Sequence, residues 1–163
     1  MTEVYKNPWF KVIKKDEYHY IEEKNSDNGA VILPVVDEQI LLVQVFRPAH
    51  GRFFLELPRG YGQPGESSLD AALRELSEET GYLARPEDLS CLGSTRPNSA
   101  ILTSCIDIYL ARLSPEQQVW NPEDEVEELH YYSIAQIPRL MAYGEIQDGF
   151  TMAAMALYWA HGF

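Results

Sequence analysis

The chain has 163 residues, 45% of them hydrophobic, and 13 Lys and Arg set against 25 Asp and Glu give a net charge of −12. That length suits one domain with a real core, burying roughly 70% of the unfolded surface. The acidity argues against the basic stripe through which nucleic acid is bound, and without a cleavable apolar leader or a run of ~20 apolar residues the reading is a cytoplasmic protein that takes cations as partners and no membrane.

In chain order, residues 1 to 28 alternate weakly, and residues 9 to 13 and 18 to 21 read as strands of a hairpin around Lys14, Lys15, Asp16 and Glu17. Ala30–Val36 and residues 39 to 46 are two strongly β-branched runs separated by Asp37 and Glu38, the length of a tight hairpin connection, and should be central strands. A turn-rich loop from Arg47 to Arg52 follows, and then a strand over residues 53 to 58 that delivers the chain to Gly60.

Residues 60 to 82 organise the rest: a glycine-rich loop, a helix and a stop. Ser67 is placed to cap the helix, with Asp70 three residues on, and Gly81 sits where a left-handed residue would end it. Leu69, Ala72, Leu73, Leu76 and Thr80 share the face that a sheet would bury. Glu75, Glu78 and Glu79 form a second stripe, in which Glu75 and Glu79 are like charges one turn apart, worth about 0.2 to 0.5 kcal/mol of destabilisation with no Lys to offset it. A solvated acidic face would need neither the glycine-rich entry, nor Glu66, nor Arg74 among the acids. Carboxylates converging on a hard divalent cation would need them, since Mg²⁺ takes oxygen ligands and bridges carboxylates to phosphates.

This stretch resembles the Nudix box, G-x5-E-x7-R-E-U-x-E-E-x-G-U with U a bulky apolar residue, at Gly60, Glu66, Arg74, Glu75, Leu76, Glu78, Glu79 and Gly81, with Tyr82 standing where an aliphatic residue is usual. The resemblance implies an α/β/α sandwich around a mixed β-sheet, and Mg²⁺, with Mn²⁺ as a substitute, held by Glu75, Glu78, Glu79 and the backbone carbonyl of Arg59. Gly60, Glu66, Arg74 and Gly81 would serve as its structural positions. Upstream, Arg47-Pro48 and Glu56-Leu57-Pro58 are similar to the family's substrate-contacting Arg loop and its lead-in, which makes Arg47 and Glu56 candidate substrate contacts. An Arg suits that role because its planar fork binds a diphosphate bidentately. The opening Tyr5 to Trp9 is similar to the N-terminal strands of ADP-ribose-type members, in which such an extension pairs with a second subunit. It implies a homodimer through residues 1 to 28; a plain edge hairpin is the alternative.

Beyond the box, Pro86 to Leu89 makes a turn, residues 89 to 93 a short strand and residues 101 to 111 a long one. Cys91 and Cys105 sit in apolar settings without Cys/His spacing and read as buried free thiols. Pro97 lies sixteen positions after Gly81, a spacing that resembles the marker of ADP-ribose pyrophosphatases, although Asn98 replaces the Gly that often follows. Residues 123 to 128 are a second acidic concentration, in which Glu123-Asp124-Glu125 resembles the E-x-E that supplies the catalytic carboxylate in that branch; Glu127 and Glu128 allow a shifted register. A strand over residues 129 to 132, a helix over 134 to 142 and a closing helix from Thr151 to about His161 complete the chain, the last expected to bury Met152, Met155, Ala156 and Trp159. The implied activity is metal-dependent hydrolysis of a nucleoside diphosphate linked to a sugar, ADP-ribose first and a nucleotide sugar such as GDP-mannose second. In it Glu75, Glu79 and Glu125 are the catalytic residues and Pro97 borders the substrate. A catalytically silent nucleotide-binding module is the reading from a different class.

Overall fold

The structure is a computed structural model that describes residues 1–120 and 126–163. Three strands come first, β1 (Thr2–Lys6), β2 (Phe10–Lys15) and β3 (Tyr18–Glu23), and form an antiparallel sheet of their own. The main sheet is built from β4 (Ala30–Val36), β5 (Gln39–Arg47), β6 (Arg52–Glu56), β7 (Arg59–Gly60), β8 (Leu89–Thr95), β9 (Ile106–Leu113) and β10 (Val126–Ser133). Its order is β10-β5-β4-β9-β8, with β6 on β5 and β7 on β4. Among the described residues only β4 and β9 run parallel in this sheet, so it is mixed, as expected. Helix α1 (Ser68–Thr80) covers one face, and α2 (Ile137–Ala142) and α3 (Gly149–Ala160) cover the other.

The two-residue period of β4 explains the sandwich. Val31, Leu33 and Val35 point to Ile137, Leu140, Ala154 and Met155, whereas Ala30, Ile32 and Val36 point to Ala72 and Leu76. A strand buried on both faces reads as a continuous apolar run, and all seven residues of β4 are buried. Pro34 is tolerated within it because β7 takes the first half of that edge, at Ala30 and Val31, and β5 the last, at Val35 and Val36. The Ile32 N–H in between donates to the Pro58 carbonyl at 2.9 Å, and the N–H that Pro34 lacks would point the same way, into the gap. The β4–β5 connection is the tight hairpin expected, with Asp37 and Glu38 both at positive φ as a type I′ turn requires.

Several expectations need correction. The long strand begins at Ile106, not 101. Residues 97 to 101 turn instead, and Leu102 forms a single parallel bridge to Ile21 that ties this segment to the N-terminal sheet. The helix expected over 134 to 142 is a 3-10 turn, Ile134–Gln136, followed by α2. Helix α3 buries Thr151, Ala154, Met155 and Tyr158; Met152, Ala156 and Trp159 are exposed. The helix is apolar on nearly all sides, so hydrophobicity does not select its inner face. A specific bond does: the Thr151 hydroxyl accepts from the Leu57 N–H at 2.9 Å and donates to the Asp148 carboxylate at the helix start, 2.8 Å. The cysteines are free, but Cys91 is exposed on an edge strand and Cys105 is half-buried. Among the described residues no helix is long and apolar enough to cross a membrane.

Candidate active site

Helix α1 starts and stops where its sequence directs. The Ser67 hydroxyl accepts from the Asp70 N–H, and Gly81 closes the helix at φ 74° with its N–H on the Ser77 carbonyl. Gly81 is required twice over, because a Cβ there would also lie 1.9 Å from the Trp120 carbonyl oxygen. Leu76 and Tyr82 are buried in the core on the α1 side of the sheet; the tyrosine keeps its hydroxyl satisfied on Tyr131, 3.1 Å away. With Leu76 and Thr80 facing inward, the next stripe round the helix, Glu75 and Glu79, faces β7 and the strand ends.

These residues line a cleft of about 380 Å³ with Ala30, Val31, Arg47, Arg59, Gly60, Tyr61, Ile106 and Phe150. Gly60 makes the cleft possible: a Cβ there would meet the Glu75 carboxylate at 2.1 Å. Glu79 accepts a 3.0 Å hydrogen bond from the Arg59 N–H, which fixes one of its oxygens against β7. Burial pushes the Glu79 carboxyl up to about 8, and the neighbouring charge of Glu75 pushes it the same way, against the opposing Arg59 N–H. Burial also raises Glu75, despite the Arg74 guanidinium 2.6 Å from it.

Arg74 is committed to holding this helix and loop together. Its guanidinium reaches Glu66 at 3.0 Å, Glu75 at 2.6 Å, Glu78 at 2.8 Å and the Tyr61 carbonyl at 3.0 Å. Behind Arg47 and Arg59 lies Glu56, 2% exposed, whose carboxylate takes hydrogen bonds from Arg47 and, at 2.6 Å, from Arg59. Burial alone would raise Glu56, but the bonds from Arg47 and the charge of Arg59 outweigh it and hold the group ionised well below the usual range. Asp148 adds a second anion 3.3 Å from Arg59, and the Phe150 ring lies under that guanidinium at 4.4 Å.

The cleft thus brings together Glu75, Glu79, Gly60, Arg47 and Arg59. Glu56 is one step behind, where it orients the two arginines. Glu78 and Glu66 sit on Arg74 beside the cleft and are absent from its lining. Pro97 is exposed in the turn over residues 97 to 101 and does not line the cleft either. Glu123 to Glu125 fall outside the described residues; Val126 is buried beside Val43 and Val45, and Glu127 and Glu128 are exposed. Sequence reasoning missed Tyr61, Phe150 and the Arg59 side chain. The signal available for two of these was adjacency, since Arg59 and Tyr61 flank Gly60; nothing in the sequence marks Phe150.

A divalent cation fits this donor set. Among the described residues no three His, Cys, Asp or Glu side chains gather closely enough to make a complete metal site. Mg²⁺ needs none, because it is ordinarily held by one or two carboxylates and completes its shell with water and phosphate oxygens. Two buried carboxylates in a glycine-made gap, both with proton affinities raised by burial, are what such an ion would satisfy.

The NUDIX domain family model matches residues 26–152, and the chain belongs to that family. An ADP-ribose pyrophosphatase of Bacillus subtilis is 34% identical over 131 residues, covering 78% of this chain and 70% of that protein. An uncharacterised Nudix hydrolase of Schizosaccharomyces pombe is 36% identical over 117 residues, 67% of this chain and 54% of that protein. The ADP-sugar pyrophosphatase of Mus musculus is 45% identical over 62 residues, 35% of this chain and 28% of that protein. The chain therefore spans about half the length of the fission-yeast relative and less of the mouse one. The crystal structure of an ADP compounds hydrolase aligns over 99% of this chain and 91% of that one with a TM-score of 0.75 at 21% identity, which shows a shared fold.

Proposed function

We propose that the chain is a metal-dependent Nudix pyrophosphohydrolase that cleaves the diphosphate of a nucleoside diphosphate linked to a sugar, with ADP-ribose, giving AMP and ribose 5-phosphate, as the first choice. One observation carries the reading: an anionic wall, Glu75 and Glu79, faces two guanidinium groups, Arg47 and Arg59, across a single cleft. A diphosphate with its cation complements both sides. The names of the Bacillus subtilis and mouse relatives support the substrate class.

In this reading Glu75 and Glu79 would hold Mg²⁺, or Mn²⁺ in its place, with the Arg59 carbonyl and, once released from Arg74, Glu78. The cation supplies charge neutralisation at the phosphoryl oxygens and a more acidic water. Arg47 and Arg59, oriented by Glu56, grip the diphosphate oxygens in a fixed fork. Arg74 keeps the carboxylates in place and does not touch substrate. Glu125 takes the proton from the attacking water, because carboxylates committed to a cation are poor bases. Glu125→Gln should lower kcat by about 10² to 10⁴ with little change in affinity, whereas Glu127→Gln and Glu128→Gln should be nearly silent. The protein works in the cytoplasm as one catalytic domain and binds neither nucleic acid nor membranes. Residues 1 to 28 pair with a second copy through the exposed Val4, Tyr5, Trp9 and Tyr18; sedimentation at 18.6 kDa would refute the dimer.

The deciding assay follows phosphate-ester products with Mg²⁺ and with EDTA on ADP-ribose, GDP-mannose, diadenosine polyphosphates and dNTPs. Metal-dependent turnover fastest on ADP-ribose is expected. Equal or faster turnover of dNTPs would overturn the substrate, and a preference for GDP-mannose would move it to the other nucleotide sugars. Nucleotide binding without turnover on any of them would make the chain a silent binding module.

A further inference from the structure

We propose that Tyr61 is a substrate-contacting residue, presenting its ring face to the ring-bearing monophosphate half of the substrate, and that Glu23 of the N-terminal sheet is the residue that positions it. The proposal rests on the cleft being a diphosphate hydrolase site and adds a contact that the box motif does not specify. Tyr61 lines the cleft beside Ala30, Gly60 and Ile106, opposite in character to the arginine wall, and is 46% exposed. A large aromatic surface at the mouth of a charged cleft is left to be covered by something flat and partly apolar, such as a nucleobase or the face of a ribose.

Its orientation is not left to chance. The Tyr61 hydroxyl donates to Glu23 at 2.7 Å, and the other Glu23 oxygen accepts from the buried Ser104 hydroxyl, so both carboxylate oxygens are engaged. Glu23 is the last residue of β3, and the connection it begins also clamps the rest of the glycine-rich loop. There the Asn28 amide donates to the carbonyls of Gln63 and Glu66, each at 3.0 Å, and Gly62 leaves room for it, since a Cβ would lie 2.3 Å from that side chain. The β3–β4 connection thus fixes the loop at Tyr61 and again at Gln63 and Glu66. The N-terminal sheet is thereby coupled to the cleft within the same chain, independently of any second copy.

The test combines steady-state kinetics on ADP-ribose with calorimetric binding of AMP and of ribose 5-phosphate. Tyr61→Ala should raise KM about tenfold, the scale of one aromatic contact, with kcat within a few-fold of wild type. It should weaken one product ligand and spare the other, which identifies the half of the substrate that the ring covers. Tyr61→Phe and Glu23→Ala should each raise KM by a smaller factor. Their double variant should be no worse than the worse single one, because both remove the same bond, and Glu23→Gln, which keeps an acceptor, should restore most of the loss. Unchanged KM and unchanged binding of both products in Tyr61→Ala would overturn the proposal while leaving the hydrolase reading intact. Strictly additive effects of Tyr61→Phe and Glu23→Ala would overturn the positioning role of Glu23. A wild-type protein that neither turns over ADP-ribose nor binds AMP or ribose 5-phosphate would remove the hydrolase reading and the proposal together.

Discussion

Glu56 and Glu79 lie on either side of Arg59, and burial penalises the charge of both, yet their protonation is driven in opposite directions. Glu56 has two guanidinium groups in hydrogen-bond contact and stays ionised below the usual carboxylate range. Glu79 has one backbone N–H, a neighbouring Glu75 and, among the described residues, no cation in ion-pair contact, and its carboxyl is pushed up to about 8. The first arrangement is complete within the protein. The second is short of positive charge, and that shortage lies where the glycine-rich loop leaves room. For these two carboxylates depth in the fold does not set the direction of the shift; the countercharge that the protein supplies does.

The sharpest way to break this contrast is to neutralise each member in turn. Glu79→Gln keeps the shape and the acceptor for the Arg59 N–H but removes the charge, and turnover should fall at least about 100-fold, since even groups one step removed from a metal cost 10- to 100-fold when lost. The metal-free protein should melt no lower than wild type, because a carboxyl that must take up a proton to be buried has gone. Glu56→Gln should do the reverse, lowering stability by about 1 to 3 kcal/mol, as expected when a charged hydrogen-bonding partner is removed beneath two guanidinium groups. Its metal affinity should be nearly intact. Equal effects of the two substitutions in both assays would erase the distinction.

A pH titration in EDTA sharpens the same contrast. A group whose proton affinity is raised by folding contributes stability that is present below its ordinary 4.5 and lost as pH rises towards about 8, so the Glu79 contribution should decline across that window. Glu56, lowered by folding, contributes stability above 4.5 that is lost as pH falls below it. Saturating Mg²⁺ should suppress the decline on the alkaline side and leave the acid side unchanged; melting temperatures measured across both windows decide it. The smallest expected effect is that of Arg47→Lys. It keeps the charge but loses the fork shared between Glu56 and the cleft, and should raise KM a few-fold with little change in kcat.

The loop and helix from Gly60 to Gly81 were legible because each demand on them is local: a cap at Ser67, an inward stripe through Leu76, a left-handed stop. The central strands were legible for the same reason, β-branched runs around a two-residue turn. What escaped was set by distant partners. Residues 101 to 105 have the composition of a strand, but Ile101 and Thr103 bond to Ile21 in the other sheet. Helix α3 is apolar all round, and its inner face is chosen by Leu57 and Asp148 at Thr151. Pro97 matched a spacing, and spacing along the chain does not report that its exposed turn is absent from the cleft lining. Glu56 and Arg47 drew notice in the sequence as candidate substrate contacts, but that Glu56 bonds to Arg47 and Arg59 depends on β5 and β6 pairing Val43 with Glu56 and Arg47 with Arg52.

The most direct measurement is calorimetric titration of Mg²⁺ into the wild type, Glu79→Gln and Glu56→Gln at pH 7, in two buffers of different ionisation enthalpy so that proton release is counted. Wild type and Glu56→Gln should bind the ion and release close to one proton, since a carboxyl raised to about 8 is largely protonated at that pH. Glu79→Gln should bind much more weakly and release none. Binding by Glu79→Gln with wild-type affinity would contradict the assignment of Glu79 to the cation site.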